Sequence, residues 1–97
     1  MTFEEFQTSL DYPKPPENIP PQLSSLWYDA KGQWHEAHEI AQNIHSREGA
    51  WVHAYLHRKE GDRSNAGYWY RNAGKSFPDK SLEEEWKELV STFLRSE

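Results

Sequence analysis

The side chains able to do chemistry gather in one stretch, residues 50–74, AWVHAYLHRKEGDRSNAGYWYRNAG. His53 and His57 stand four positions apart, so a helix sends both imidazoles from one face. Two such rings can share a hydrogen-bonding ligand or a metal ion; for the metal, His38, His45 or Glu60 must add a further donor. Arg58 can clamp a carboxylate or phosphate through its planar fork. Asn65, Tyr68 and Trp69 add hydrogen bonds and a stacking surface. Upstream, His38 and Gln42 repeat the four-residue spacing. The expected site is therefore His38, Gln42, His53, His57, Arg58, Asn65 and Trp69. It offers neutral donors and acceptors, one fixed positive charge and aromatic walls, a lining for a small polar or anionic molecule or a peptide.

Competing readings apply to the same residues. Histidines on a helix-pair seam can be packing residues satisfied by Asn65, a tyrosine or backbone. Arg58, Glu60, Asp62 and Arg71 can be a solvated salt-bridge cluster at the turn. Tyr68, Trp69 and Tyr70 can be core, with one ring at most facing a ligand. The expectation is no tightly bound metal, with His38, His53 and His57 as the alternative metal set. No cofactor and no catalytic residue is assigned. Ala54, and no glutamate, follows His53, so the zinc-protease helix is not matched. Ser46, Ser64 and Ser76 fall at expected helix boundaries, where serine caps helices. A binding or interaction domain is the leading reading. A His-based or metal-dependent enzyme using His53 or His57 with Glu60 comes next, and a purely structural interaction module third.

These residues need helices to position them. Nothing from Ala50 to Glu60 breaks a helix, Gly61 can end it in the left-handed region, and Asp62 or Ser64 can cap the next. On that second helix Ala66, Trp69, Tyr70 and Ala73 recur at i, i+3, i+4 and i+7, the spacing of a buried face. Gly74 and Pro78 close it. Thr2 and Glu5 form a capping box for a helix over 3–10 bearing Phe3, Phe6 and Leu10; Ser81 and Glu84 form another for a helix to about 95. The latter's stripe is Leu82, Trp86, Leu89, Val90 and Phe93. A helix over 21–31 turns Leu23, Leu26, Trp27 and Ala30 inward, and one over 34–45 buries Ala37, Ile40, Ala41 and Ile44. His35, His38, Gln42 and His45 share the adjoining face. Five prolines between Tyr12 and Pro21 make an extended arm that tethers the first helix, an exposed proline ligand being the lesser option.

Gly32-Gln33-Trp34-His35-Glu36-Ala37 and Gly61-Asp62-Arg63-Ser64-Asn65-Ala66 repeat one turn pattern 29 residues apart. With Ala66, Tyr70 and Pro78 in place, the unit resembles the tetratricopeptide helix-turn-helix. Ala50, His53, Ala54 and His57 stand where that pattern has Trp, Leu, Gly and Tyr. The resemblance implies an all-α, right-handed array of antiparallel hairpins with capping helices. Its parts are an N-terminal helix (1–10), a proline-rich arm (11–21), two helix-turn-helix units (22–78) and a C-terminal capping helix (79–97), together one domain. The strings Ala37–Gln42, Trp51–Asp62 and Asn65–Arg71 also resemble a family of small bacterial helical proteins, over residues 26–78. That resemblance supplies no activity.

Composition bounds the partners. The chain has 97 residues, no cysteine and a net charge of −5, so thiolate chemistry is excluded and nucleic acid is not expected. Five Trp, five Tyr and four Phe compensate for a hydrophobic content of 35% and can build one core. The acidic start, Met1-Thr2-Phe3-Glu4-Glu5, does not read as a signal peptide, and no stretch reads as a membrane span. A cytoplasmic protein is expected, its partner an unknown small molecule or peptide, with a homodimer left open.

Overall fold

The computed structural model describes residues 1–96 as six helices: α1 (Phe3–Ser9), α2 (Pro21–Ala30), α3 (Trp34–Gln42), α4 (Arg47–Glu60), α5 (Arg63–Asn72) and α6 (Leu82–Arg95). The architecture is all-α, with no strand among the described residues. Glu97, the end of the expected capping helix, lies outside them. Local chemistry explains the starts. Thr2 and Ser81 each accept from the amide of a glutamate three positions on, whose carboxylate accepts the capping residue's own amide proton. Pro21 opens α2 at a position where a missing N–H leaves no hydrogen bond unmade. Asp62 caps α5 through the Asn65 amide. Gly61 ends α4 at φ 92°, a left-handed conformation that a side chain would strain.

Contacts run in opposite senses along neighbouring helices. Ser25 Oγ donates to Ala37 O at 2.7 Å between α2 and α3. Between α3 and α4, Trp34 Nε1 donates to Leu56 O at 2.9 Å, and His38 meets His53. Rising numbers on α3 thus meet falling numbers on α4, an antiparallel pair. Across the two-residue turn Gly61-Asp62, Trp69 of α5 returns to stack on His53 of α4. Helix α4 lies at the centre, packed by α2, α3, α5 and α6. Every residue from Gly49 to His57 is consequently buried, polar ones included.

Helix α6 covers α2 and α4 with Trp86, Leu89, Val90 and Phe93, and Trp86 Nε1 donates to Leu26 O at 3.1 Å. Phe6 is fully buried, and both Phe3 and Phe6 pack their rings against Trp86. Trp27 Nε1 donates to Ser9 O, and Lys31 Nζ to Leu10 O, tying the end of α1 to α2. None of the helices among the described residues is long and apolar enough to cross a membrane.

The structure corrects several boundaries. Helix α3 stops at Gln42 rather than 45, with Asn43 Nδ2 donating back to Glu39 O at its end. Ile44 therefore sits in the connection, half-buried, and Ile40 is half-buried too. Helix α4 begins at Arg47 rather than Ala50, because Ser46 accepts from the Gly49 amide and draws three more residues into the first turn. Ala30, expected inward, is exposed at the end of α2. The inward position belongs to its neighbour Asp29, whose carboxylate accepts from Tyr55 OH at 3.1 Å and Lys59 Nζ at 3.0 Å.

Candidate functional site

Helices α3, α4 and α5 meet along a seam of rings. His53 and His57 leave α4 one turn apart and stack with centroids 4.7 Å apart. His38 arrives from α3 and sets its ring edge-on to both, at 4.7 and 5.1 Å. Its Nε2 lies 3.0 Å from His53 Nε2, a hydrogen bond in which one ring donates and the other accepts. Two indoles close the ends. Trp34 stacks on His38 at 4.9 Å with ring planes 13° apart, and Trp69 stacks on His53 at 4.2 Å and 20°.

His57 is oriented from outside the seam. Its Nδ1 lies 2.7 Å from Glu60 Oε2, three residues along α4. An ionised carboxylate only accepts, so Nδ1 carries the proton it donates. In the neutral imidazole this leaves Nε2 as a lone-pair acceptor. That atom is buried and has no hydrogen-bond partner among the described residues. Buried polar atoms in folded proteins are nearly always paired, so this nitrogen calls for a partner.

Burial and the neighbouring imidazoles disfavour the charged form of His53 and His38. His53 is pushed down to about 4, first by loss of water and then by His38 and His57. His38 is also lowered, by burial and then by His57, while Glu60 and Glu39 pull in the opposite sense. One ring nitrogen from each of His38, His53 and His57 lies within 4.8 Å of the others. His57, Glu60 and Asp62 also approach one another within that distance. There, however, Glu60 is engaged by His57 and Asp62 by the Asn65 amide.

Beside His53 and Trp69 opens a cavity of about 270 Å³, whose polar lining comes from Gln42, His45, Ser46 and Asn72. Of the residues expected at the site, the structure thus gathers His38, His53, His57 and Trp69 in the seam and places Gln42 at the adjoining cavity. Gln42 is exposed and donates to Glu39. Arg58 and Asn65 are elsewhere. Asn65 is exposed in the first turn of α5. Arg58 points away toward α6, where it donates to Glu85 Oε1 at 2.8 Å and to Lys80 O. Consecutive helical residues diverge by about 100°, so Arg58 cannot face with His57.

Sequence reasoning missed Trp34, although it precedes His38 by the same four-residue spacing that paired the histidines. It also missed Glu85, a carboxylate only 1% exposed on the apolar stripe of α6. Tyr70 OH, Trp51 Nε1 and Arg58 all donate to it. Burial first, then the bond to Glu85, raises the Tyr70 phenol well above its usual range. This cluster is saturated with partners and joins α4, α5 and α6; the seam on the opposite side of α4 is not. No family model, no curated protein and no solved structure matches the chain.

Proposed function

We propose that this chain is a small cytoplasmic binding domain, its two hairpins arranged in a tetratricopeptide-like way, that holds a ligand at the α3–α4–α5 seam. The observation that carries this reading is His57 Nε2, a buried nitrogen with no hydrogen-bond partner among the described residues, beside two further imidazoles. The adjoining cavity supports the same reading. Its volume of about 270 Å³ falls slightly below the usual range for drug-sized ligands, which begins near ~300 Å³, and so suits a small molecule. With Arg58 committed to Glu85, no fixed positive charge from that residue is available for an anion. The reading therefore narrows from a small polar or anionic ligand to a small neutral, hydrogen-bonding one in the cavity. Catalysis has less support, because Ser46, the hydroxyl at the cavity wall, already caps α4.

Amide-resolved NMR during titration with small amides, alcohols and azoles tests this. Saturable shifts at Gln42, His45, His53, Trp69 and Asn72 are expected. Shifts scattered over the surface without saturation would contradict the cavity as a binding site.

A further inference from the structure

We infer that the seam also holds, beside the neutral ligand of the adjoining cavity, a first-row divalent transition-metal ion bound by one ring nitrogen each from His38, His53 and His57. This deepens the binding reading and rests on it. Three features carry it. The first is geometry. A tetrahedral ion with metal–nitrogen bonds of about 2.0–2.1 Å holds its nitrogens roughly 3.3 Å apart. His38 and His53 already approach to 3.0 Å, and all three donors lie within 4.8 Å of one another. Small side-chain rotations make up the difference.

The second is the orphaned atom. Nδ1 is taken up by Glu60, and His57 Nε2 is buried with no hydrogen-bond partner among the described residues, so in the neutral ring it turns a lone pair toward His38 and His53. A cation satisfies it where another acceptor cannot. The third is the support behind it. A carboxylate on the far nitrogen of a ligating imidazole fixes its tautomer and raises its basicity, and Glu60 at 2.7 Å occupies that place. The stacked indoles of Trp34 and Trp69 restrict the ring planes of His38 and His53.

Donor chemistry sets the class of ion. Three imidazoles favour zinc, cobalt, nickel or copper over magnesium and calcium, which prefer oxygen. Three protein ligands leave at least one coordination position for water or a small ligand. His38 is only half-buried, whereas His53 and His57 are 7% and 5% exposed, so the ion enters from the α3 side. Glu39 and Glu60 act electrostatically on His38 there and favour an approaching cation.

The test is calorimetric titration of the full chain with zinc(II), repeated with cobalt(II) for its visible spectrum. One ion per chain is expected, with a cobalt spectrum of four-coordinate type. Affinity should fall roughly 100-fold or more in His38→Ala and about 10–100-fold in Glu60→Gln. Circular dichroism verifies folding of both; should His38→Ala unfold, the partly exposed Glu60 variant carries the comparison. Absence of zinc and cobalt binding overturns the inference. So does binding unchanged in both variants, which would place the ion at the exposed His35 or His45. If the metals fail while the neutral compounds still shift Gln42, His45 and Asn72, the metal falls and the binding domain stands. If both fail, both readings fall.

Discussion

His57 concentrates the chemistry of the site in one ring, with a committed carboxylate at one nitrogen and a buried, partnerless lone pair at the other. Around it, His53 and His38 are kept neutral by burial, and this has a consequence for stability. A histidine lowered in the folded state binds its proton more readily in the unfolded chain. Stability is therefore complete above about pH 6.5, the ordinary value, and is lost as pH falls toward the folded value. For His53, lowered to about 4, the loss amounts to roughly 3 kcal/mol at most. Urea denaturation of metal-free protein at a series of pH values should show the midpoint falling between pH 6.5 and 4. In His53→Phe, which keeps a ring against Trp69, much of that slope should disappear. An unchanged slope in the variant would assign the acid sensitivity to other groups.

At the scale of elements, the connection between α3 and α4 decides how the cavity is shaped. Gly49 lies in the first turn of α4 directly against Ile44: an added Cβ would stand 2.2 Å from Ile44 O and 2.6 Å from Ile44 Cβ. Both contacts are too close to survive, and one is backbone, so Gly49→Ala must displace the 43–46 connection. A destabilisation of roughly 1–3 kcal/mol is expected, measurable by thermal melting, together with altered resonances at His45 and Ser46. A neutral substitution would mean that the connection yields freely.

This region also marks how far the sequence could be read. The hairpin turns at Gly32 and Gly61 and the capping boxes at Thr2 and Ser81 were legible, because each is specified by residues within a few positions. The pairing of His53 with His57 was legible for the same reason. Ile44 continues the apolar period beyond the end of α3 at Gln42, and the period alone does not show that the chain has left the helix. The meeting of His38 with His53 depends on how α3 slides along α4. That register is set by contacts such as Trp34 to Leu56, 22 residues apart. Arg58 adjoins the site in sequence only, since helical geometry separates it from His57 and turns it to Glu85.

At the scale of the whole molecule, α4 divides two polar systems. On the α6 side, Glu85 is paired with Arg58 and accepts from Tyr70 and Trp51, so its buried charge is satisfied. Removing one partner of a buried pair leaves the other uncompensated, at a cost of about 3–5 kcal/mol. Glu85→Ala should lower the denaturation midpoint accordingly while leaving the contacts of the histidine seam in place. A loss below ~1 kcal/mol would mean that water enters and replaces the carboxylate. Nothing in the sequence flagged this cluster, because a glutamate beside two others in the first turn of a helix reads as solvated.

On the α3 and α5 side the rings remain chemically incomplete, and the functional account depends on that difference. It is tested most directly by nitrogen-15 NMR of the five imidazoles, recorded before and after one equivalent of zinc(II). The account predicts that His57 begins with its proton on Nδ1, held by the Glu60 carboxylate. It then predicts that one ring nitrogen in each of His38, His53 and His57 moves together, in a single step complete at one ion per chain. Movement confined to His35 and His45, with the three seam imidazoles unchanged at saturation, would contradict it.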